Sequence, residues 1–310
     1  MSSEPAASIG AEELRARLPI AAAIDALETA FRSHDPSGGP LRTHIETAAG
    51  SLLLMPATGE RGVGVKLVTL TPDNPGHGRP LIHAVYVLFD GRTQAPAAIL
   101  DGGALTALRT AAVSGLATRY LANEDASRLV LFGAGVQATA HLEAMQAVRP
   151  IRDVVVVSRS AGPAEELAER ARTTGLTASV GEPDAVAEAD IVCTCTTSTD
   201  PLFDGSFLAN GCHVNAMGSY RPETRELDTE TIRRSRVVVE TRAVAMEEAG
   251  DLLIPIGEGA IGPDHIVADL AQLMREGGVR RSPEDVTVFK SVGMAFEDLV
   301  VARAVLDAST

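Results

Sequence analysis

The pattern of apolar and polar positions changes character partway along the chain. In LPIAAAIDALETAF, Ile20, Ile24, Leu27 and Phe31 recur at helical spacing behind Pro19, which suits a first helical turn. The Pro/Gly-rich SHDPSGGP ends that helix. Strand-like segments follow, namely LRTHIET, SLLLMPA, GVGVKLVTL, LIHAVYVLFD and APAAILDG. Several alternate apolar with polar residues, as an antiparallel sheet with one wet face does. ALTALRTAAVSGLATRYLA then predicts a long helix.

From Arg128 the runs become short and almost wholly apolar, alternating with helical stretches: RLVLFG, DVVVVS, ADIVCTC, CHVNAMG, RVVVE and VTVFKS. Continuous apolarity indicates strands buried on both faces, as in a parallel sheet flanked by helices. The fold class expected is α/β, a Rossmann-type doubly wound parallel sheet joined to a smaller α/β domain. The boundary falls near residues 117–128, giving a first domain over 1–120 and a dinucleotide-binding domain over 121–292. The last amphipathic stretch, within 293–310, is expected to complete the first domain. A length of 310 residues agrees with two cores rather than one.

Composition narrows the function classes. Hydrophobic residues make up 45% and aromatics only 3%, without tryptophan, so the cores must be aliphatic. The formal charge of −14 repels phosphate backbones, which argues against a nucleic-acid partner. Neither a leader with a basic then apolar region nor an apolar run of ~18 residues is evident, so a cytoplasmic protein with no membrane association is expected. Cys193, Cys195 and Cys212 are odd in number, and C-x-C fits neither a zinc knuckle nor a redox pair; buried free thiols are the reading. His44, His83, His141 and His213 lack metal-ligand spacing, so no metal is expected.

RLVLFGAGVQATAHLEAM reads as a strand, the turn G-A-G-V-Q-A and a helix. Gly133 permits the tight turn, Gly135 lets the backbone approach a pyrophosphate, and Ala138 keeps helix and strand close. Val136 and Gln137 open the helix, whose N-terminal amides favour an anion. The next strand ends in Ser158, Arg159 and Ser160 rather than in the Asp or Glu that would meet a ribose 2′-hydroxyl. A guanidinium and hydroxyls suit a 2′-phosphate, so NADP(H) is favoured, with NAD(H) possible.

Three cations of the first domain sit in unusual surroundings: Arg42 at the start of LRTHIET, Lys66 among aliphatics, and Arg109 in a helix otherwise almost uncharged. Any one alone reads as an internal ion pair or as a long side chain reaching water. Together, and beside a dinucleotide-binding domain, they suggest a clamp for the carboxylate of a small-molecule substrate.

GVGVKLVTLTPDNPGHGRPLIHAVYVLFD, ILDGGALTALRTAAVSGLA, FGAGVQATAHLEA, VNAMGSYRPETREL and EEAGDL, in this order, resemble the ornithine cyclodeaminase/mu-crystallin family. The resemblance implies a Rossmann domain, a substrate-binding and dimerisation domain, and a homodimer. It places Arg42, Lys66 and Arg109 on the substrate carboxylate and Thr110 near the cofactor phosphates. It further implies that Thr196, Thr197, Ser198, Val214, Asn215, Met217, Gly218, Lys290 and Ser291 line the cofactor cleft. Glu247, Glu248 and Asp251 match a family motif, either near substrate or at a helix end near the dimer contact.

Cyclodeaminases of the family carry an Asp two residues after the glycine of the VNAMG segment, thought to handle the side-chain amine; this chain has Tyr220. A phenol cannot supply the negative charge that would pair with an ammonium group. The expected activity is therefore NADPH-dependent reduction of a ketimine or cyclic imino acid of the pyrroline- or piperideine-2-carboxylate type. Ornithine cyclodeaminase, alanine or other amino-acid dehydrogenase, and hydroxyproline dehydratase are alternatives within the fold. A non-catalytic ligand-binding protein of crystallin type is the alternative of another class.

Overall fold

In the computed structural model, which describes residues 6–59 and 62–308, the chain divides into two units. One comprises Met1–Ala30, Gly38–Arg109 and Met294–Thr310, the other Phe31–Ser37 and Thr110–Gly293.

The first unit is built on a six-stranded sheet of β1 (Ala7–Ile9), β2 (Thr43–Thr47), β3 (Gly50–Gly59), β4 (Gly62–Leu70), β5 (Ile82–Phe89) and β6 (Pro96–Asp101). Its spatial order is β1-β6-β5-β4-β3-β2, antiparallel except where β1 lies parallel to β6. Cross-strand register brings Met55, Lys66, Tyr86 and Leu100 side by side on one face. Leu53, Val68, Leu88 and Ala98 surround them, and all eight are buried. The C-terminal helix (Ala295–Asp307) packs on this face against β3, β4 and β5. Two helices, α1 (Ala11–Arg17) and α2 (Ile20–Ser33), lie between β1 and β2 in the chain; Leu14, Ile24 and Leu27 are fully buried anchors on them.

The opposite face differs from the wet face that alternation suggests. Leu54, Leu67 and Val85 align in register there, as do Pro56, Val65, Val87 and Ile99, and all are apolar and only half-buried or exposed. The alternation in these strands is one of fully buried against half-buried apolar side chains, which period-2 hydropathy reads as one buried face only.

On β4, Gly64 makes room for the ring of Tyr86 across the strand pair. A Cβ at position 64 would lie 2.0 Å from the Tyr86 hydroxyl. The ring is fully buried, so it cannot swing aside into solvent.

From β6 the chain enters α3 (Gly102–Leu121), capped by Asp101, whose side chain accepts from the Ala104 amide at 2.8 Å. Leu105, Leu108, Ala112, Val113, Leu116 and Leu121 are buried around its whole circumference, and so are Arg109, Thr110, Ser114 and Thr118. A helix with no wet face forces its few polar groups to find partners inside the protein.

The second unit carries eight parallel strands: β7 (Arg128–Phe132), β8 (Asp153–Val157), β9 (Thr177–Val180), β10 (Ile191–Thr194), β11 (His213–Ala216), β12 (Ser235–Val239), β13 (Ile266–Asp269) and β14 (Val286–Lys290). Their order is β13-β12-β14-β11-β10-β7-β8-β9. Helices α4 (Val136–Val148), α5 (Ala161–Thr173), α6 (Thr229–Arg234), α7 (Arg242–Glu248), α8 (Gly250–Gly257) and α9 (Leu270–Glu276) connect them. The apolar runs named in the sequence form the six inner strands. β9 and β13 are the two edges, and their partly exposed residues give no continuous apolar signal.

Beneath the sheet a polar chain is fully buried. His213 bonds Thr287 at 2.9 Å and Asn215 at 3.3 Å, and Asn215 donates to the Thr118 hydroxyl at 2.9 Å. Burial pushes the His213 imidazole down to about 3 and that of His141 down to about 4, so both are neutral at pH 7.

Replacing Gly64 with Ala should destabilise the protein by about 1–3 kcal/mol, because the added methyl overlaps a buried ring that has nowhere to move. Urea unfolding followed by far-UV circular dichroism reads this as a lower midpoint at unchanged slope.

Candidate active site

The strand order of the second unit reverses at β7: β8 and β9 lie on one side, β10 and β11 on the other. Loops leaving the carboxyl ends of adjacent strands diverge at such a point and open a crevice. The glycine turn occupies it. Gly133 has a φ of +99°, and a Cβ there would lie 2.5 Å from the carbonyl oxygen of Cys195, in the loop after β10. Gly135 is exposed, with open space where a side chain would be. It caps α4, whose first amides have no partner within the helix.

Two buried polar atoms near these elements lack any hydrogen-bond partner in the protein, the Gln137 Oε1 and the Thr110 hydroxyl. A bare backbone cradle, a helix N-terminus and two orphaned polar groups fit a dinucleotide. Ser158, Arg159 and Ser160 follow β8, with Arg159 and Ser160 exposed. Val136 is exposed as well, and Ala138 is buried against the strand, as a small residue there must be.

The loops after β10 and β11 are tied together from below by one carboxylate. Glu226 is fully buried and accepts from the Thr194 hydroxyl at 2.7 Å, the Thr196 hydroxyl at 2.6 Å, the Thr196 amide at 2.9 Å and the Gly218 amide at 2.7 Å. Burial pushes the Glu226 carboxyl above its ordinary pKa, and the nearby Lys290 ammonium opposes that shift.

Asp251, at the start of α8, accepts from the Glu226 and Leu227 amides, each at 2.8 Å, and pairs with Lys290 at 2.7 Å. Lys290 also donates to the Ser219 carbonyl at 2.6 Å. A third carboxylate, Glu240 after β12, accepts from the Ser291 hydroxyl at 2.6 Å and from the Val292 and Gly293 amides at 3.0 Å. Three buried acids thus fix the carboxyl ends of β10, β11 and β14.

Several expectations change in detail. Lys290 and Ser291 do not present side chains to a cleft: both are 1% exposed and committed to Asp251 and Glu240. The Val214 side chain lies in the apolar core on the sheet face opposite the His213 chain, and that of Asn215 lies in that chain. Pleating explains both, since strand residues point above or below the sheet while ligands meet the loops beyond the strand ends. Thr196, Thr197, Ser198, Met217 and Gly218 do lie in those loops, half-buried or exposed. Tyr220 is half-buried, its ring packed against the core and 5.9 Å from the Arg221 guanidinium carbon.

In the first unit, Lys66 and Arg109 prove to be ion-paired. Lys66 donates to Asp298 Oδ1 at 2.9 Å and lies 2.8 Å from Oδ2. Arg109 pairs with Glu297 at 2.9 Å and with Asp298 Oδ1 at 3.2 Å. All four side chains are at most 7% exposed. Burial pulls the Lys66 ammonium down to about 8, the Asp298 carboxylate resists that fall, and the charges of Arg109 and Arg42 add to it.

Arg42 is thus close enough to be felt at Lys66, so the three cations share one neighbourhood. The Tyr86 hydroxyl, beside Lys66 in register, is buried without a hydrogen-bond partner, and burial together with Asp298 raises its pKa. An ammonium and guanidinium held in a fixed, mostly apolar setting can bind a small carboxylate and deliver a proton.

Glu226, Glu240, Asp251, Glu297 and Asp298 carry these networks, and only Asp251 draws notice in the sequence. A common signal is visible for four of them: Glu240, Asp251, Glu297 and Asp298 abut apolar runs, in VVVE, GDLL and FEDLVV, whereas Glu226, in TRELD, does not. Among the described residues no cluster of His, Cys, Asp and Glu could hold a metal ion, and no helix is long and apolar enough to cross a membrane.

A doubly wound parallel sheet with a glycine cradle at its switch point, joined to a unit whose own sheet and helices enclose a buried lysine–arginine pair, is the architecture of a dinucleotide-binding protein of two α/β units. Residues 9–310 match the Ornithine cyclodeaminase/mu-crystallin family, and the chain belongs to that family. It is 39% identical over 278 residues to a Delta(1)-pyrroline-2-carboxylate reductase of Bacillus cereus, covering 85% of this chain and 84% of that one. It is 37% identical over 294 residues to the ketimine reductase mu-crystallin of Rattus norvegicus, covering 92% and 91%. Among solved structures it resembles Thermococcus litoralis Delta(1)-pyrroline-2-carboxylate reductase in complex with NADH and L-proline, with a TM-score of 0.91, 34% identity and coverage of 98% and 97%.

Replacing Glu226 with Ala would leave the half-buried Thr196 and Gly218 amides, and the buried Thr194 hydroxyl, without their acceptor. The expected cost is about 3 kcal/mol or more in stability, together with weakened dinucleotide binding. Chemical denaturation and titration with NADH followed by fluorescence would check the two effects separately.

Proposed function

We propose that the protein is an NADPH-dependent reductase of a cyclic imino acid of the pyrroline- or piperideine-2-carboxylate type, yielding the L-amino acid. The observation that carries this reading is the buried Lys66 ammonium, flanked by Arg109 and Arg42, in a chain that also holds a dinucleotide cradle. An ammonium has three N–H donors. Asp298 engages Lys66 from one side, and the remaining donor capacity serves a substrate carboxylate or gives a proton to an imine nitrogen. The guanidinium of Arg109, locked by two carboxylates, adds oriented positive charge. Gly133, Gly135 and the α4 N-terminus would hold the cofactor pyrophosphate, and the reduced nicotinamide supplies a hydride equivalent when bound.

The name of the Bacillus cereus relative, and the NADH and L-proline held by the Thermococcus litoralis structure, support a cyclic imino acid as substrate. So does Tyr220: its loop position carries no carboxylate to receive a diamino acid's ammonium group. The deciding experiment mixes purified protein with NADPH or NADH and a panel of cyclic and linear imino acids, following nicotinamide absorbance. Oxidation of the cofactor with pyrroline- or piperideine-2-carboxylate is expected. No turnover with any imine, or ammonia release from ornithine with NAD, would overturn the reading.

For the cofactor, Ser158 and Arg159 favour a 2′-phosphate, and no carboxylate stands at that strand end to meet a 2′-hydroxyl. Arg159→Ala should raise KM for NADPH roughly tenfold, as loss of a charge-assisted hydrogen bond does, and leave KM for NADH nearly unchanged. Parallel steady-state kinetics with the two cofactors gives the ratio.

The apolar outer face of the six-stranded sheet is assigned to a homodimer contact. Val65 and Val87 lie side by side at its middle, only half-buried, and a contiguous apolar sheet surface of this kind marks an interaction site. Val87→Asp should convert the protein to a monomer on size-exclusion chromatography with light scattering, with the helical content of the fold retained.

A further inference from the structure

The chain contains only two lysines, Lys66 and Lys290, against 25 arginines (27 − 2), and both lysines are buried against an aspartate. Lys290 is spoken for, since Asp251 and the Ser219 carbonyl hold its ammonium to fix a loop. Lys66 has a different environment. Asp298 holds it from the C-terminal helix; Glu297, on the same helix, is turned to Arg109 instead. From α3 comes the Arg109 guanidinium, from the segment before β2 the charge of Arg42, and from β5 the Tyr86 hydroxyl, which has no hydrogen-bond partner.

Every cation facing Lys66 disfavours its charge, and so does burial. Asp298 is the group in contact with it that favours the ammonium. Asp298 accepts from Lys66 and ion-pairs with Arg109, so one carboxylate sets the spacing between the two cations.

We propose that Asp298 is the positioning residue of the imine reduction: it orients the Lys66 ammonium and keeps it protonated, so that Lys66 acts as the proton donor to the imine nitrogen. This rests on the imine-reductase reading above. In the step, the Lys66 N–H bond breaks with its electron pair staying on Nζ, and the proton forms the new N–H bond of the product amine. The imine carbon takes the hydride equivalent of the reduced nicotinamide dinucleotide, and water reprotonates the neutral lysine. Substrate carboxylate arriving beside Lys66 would add a second anion and further favour the ammonium.

Because the chain has two lysines, protein grown on isotope-labelled lysine yields two side-chain NMR signals, and Lys66→Arg assigns them. In the wild type the Lys66 signal should titrate at about pH 8 and the alkaline limb of kcat/KM, which reports the free enzyme, should share that midpoint. With Asp298→Asn the Lys66 midpoint should move to lower pH by about one pH unit or more. The Lys290 signal should stay in place, kcat at pH 8 should fall at least tenfold, and Asp298→Glu should restore much of both.

The NMR titration needs neither substrate nor cofactor, so it tests the Asp298–Lys66 coupling even if the wild type reduces no imine. A Lys66 midpoint unmoved in folded Asp298→Asn overturns the proposal. So does a wild-type alkaline limb of kcat/KM that departs from the Lys66 midpoint, a comparison that stands if Asp298→Asn fails to fold.

Discussion

A lysine and an arginine enclosed by aliphatic side chains remain charged only where carboxylates come to meet them, and much of the first unit is arranged so that Asp298 and Glu297 do. Isolated charges in such a setting would cost many kcal/mol, and the lysine would respond by losing its proton. The structure supplies the counter-ions from residues 188 and 232 positions away in the chain. The C-terminal helix is therefore more than a cover for the sheet. Its first turn brings two acids to the inner face of β4 and the buried side of α3, so closing this core and charging this site are one event.

The second unit repeats the same chemistry for a different end. Lys290 and Asp251 form a buried pair, but their remaining hydrogen-bonding capacity goes to backbone, as does that of Glu226 and Glu240. The result is a crevice whose floor is rigid and whose ligand-facing parts are backbone amides, hydroxyls and glycines. Such a surface suits pyrophosphate, which asks for amide donors and close approach rather than for a matching point charge. The two units thus use buried ion pairs in opposite ways, one keeping a charge in play and the other immobilising loops.

Much of this was legible from the chain. Continuous apolar runs identified the six inner parallel strands, and the glycine spacing located the cradle, because those patterns reflect burial on both faces and a backbone conformation that few residues adopt. The unusual settings of Lys66 and Arg109 marked them as buried cations. Their partners were hidden because EDLVVARAVLDA reads as an ordinary amphipathic helix, whose acids look solvated until another element presents cations to them. Glu226 was hidden for a similar reason, lying in a loop rich in exposed charges, where Arg221 and Glu223 do face water. The partners of Lys290 and Ser291, Asp251 and Glu240, are not legible either, since position at a strand end does not fix which way a side chain turns.

The confinement of both lysines to the interior leaves a surface whose side-chain cations are all guanidinium or imidazole groups. Acylating reagents and amine-directed crosslinkers therefore find no lysine target on the folded protein, and attachment to a support through lysine would select for opened molecules. Acylation of Lys66 or Lys290 instead becomes a clock for the opening of the structure around β4 or β14. With one lysine in each unit, a mass measurement of which lysine carries the label would tell which of the two opened first.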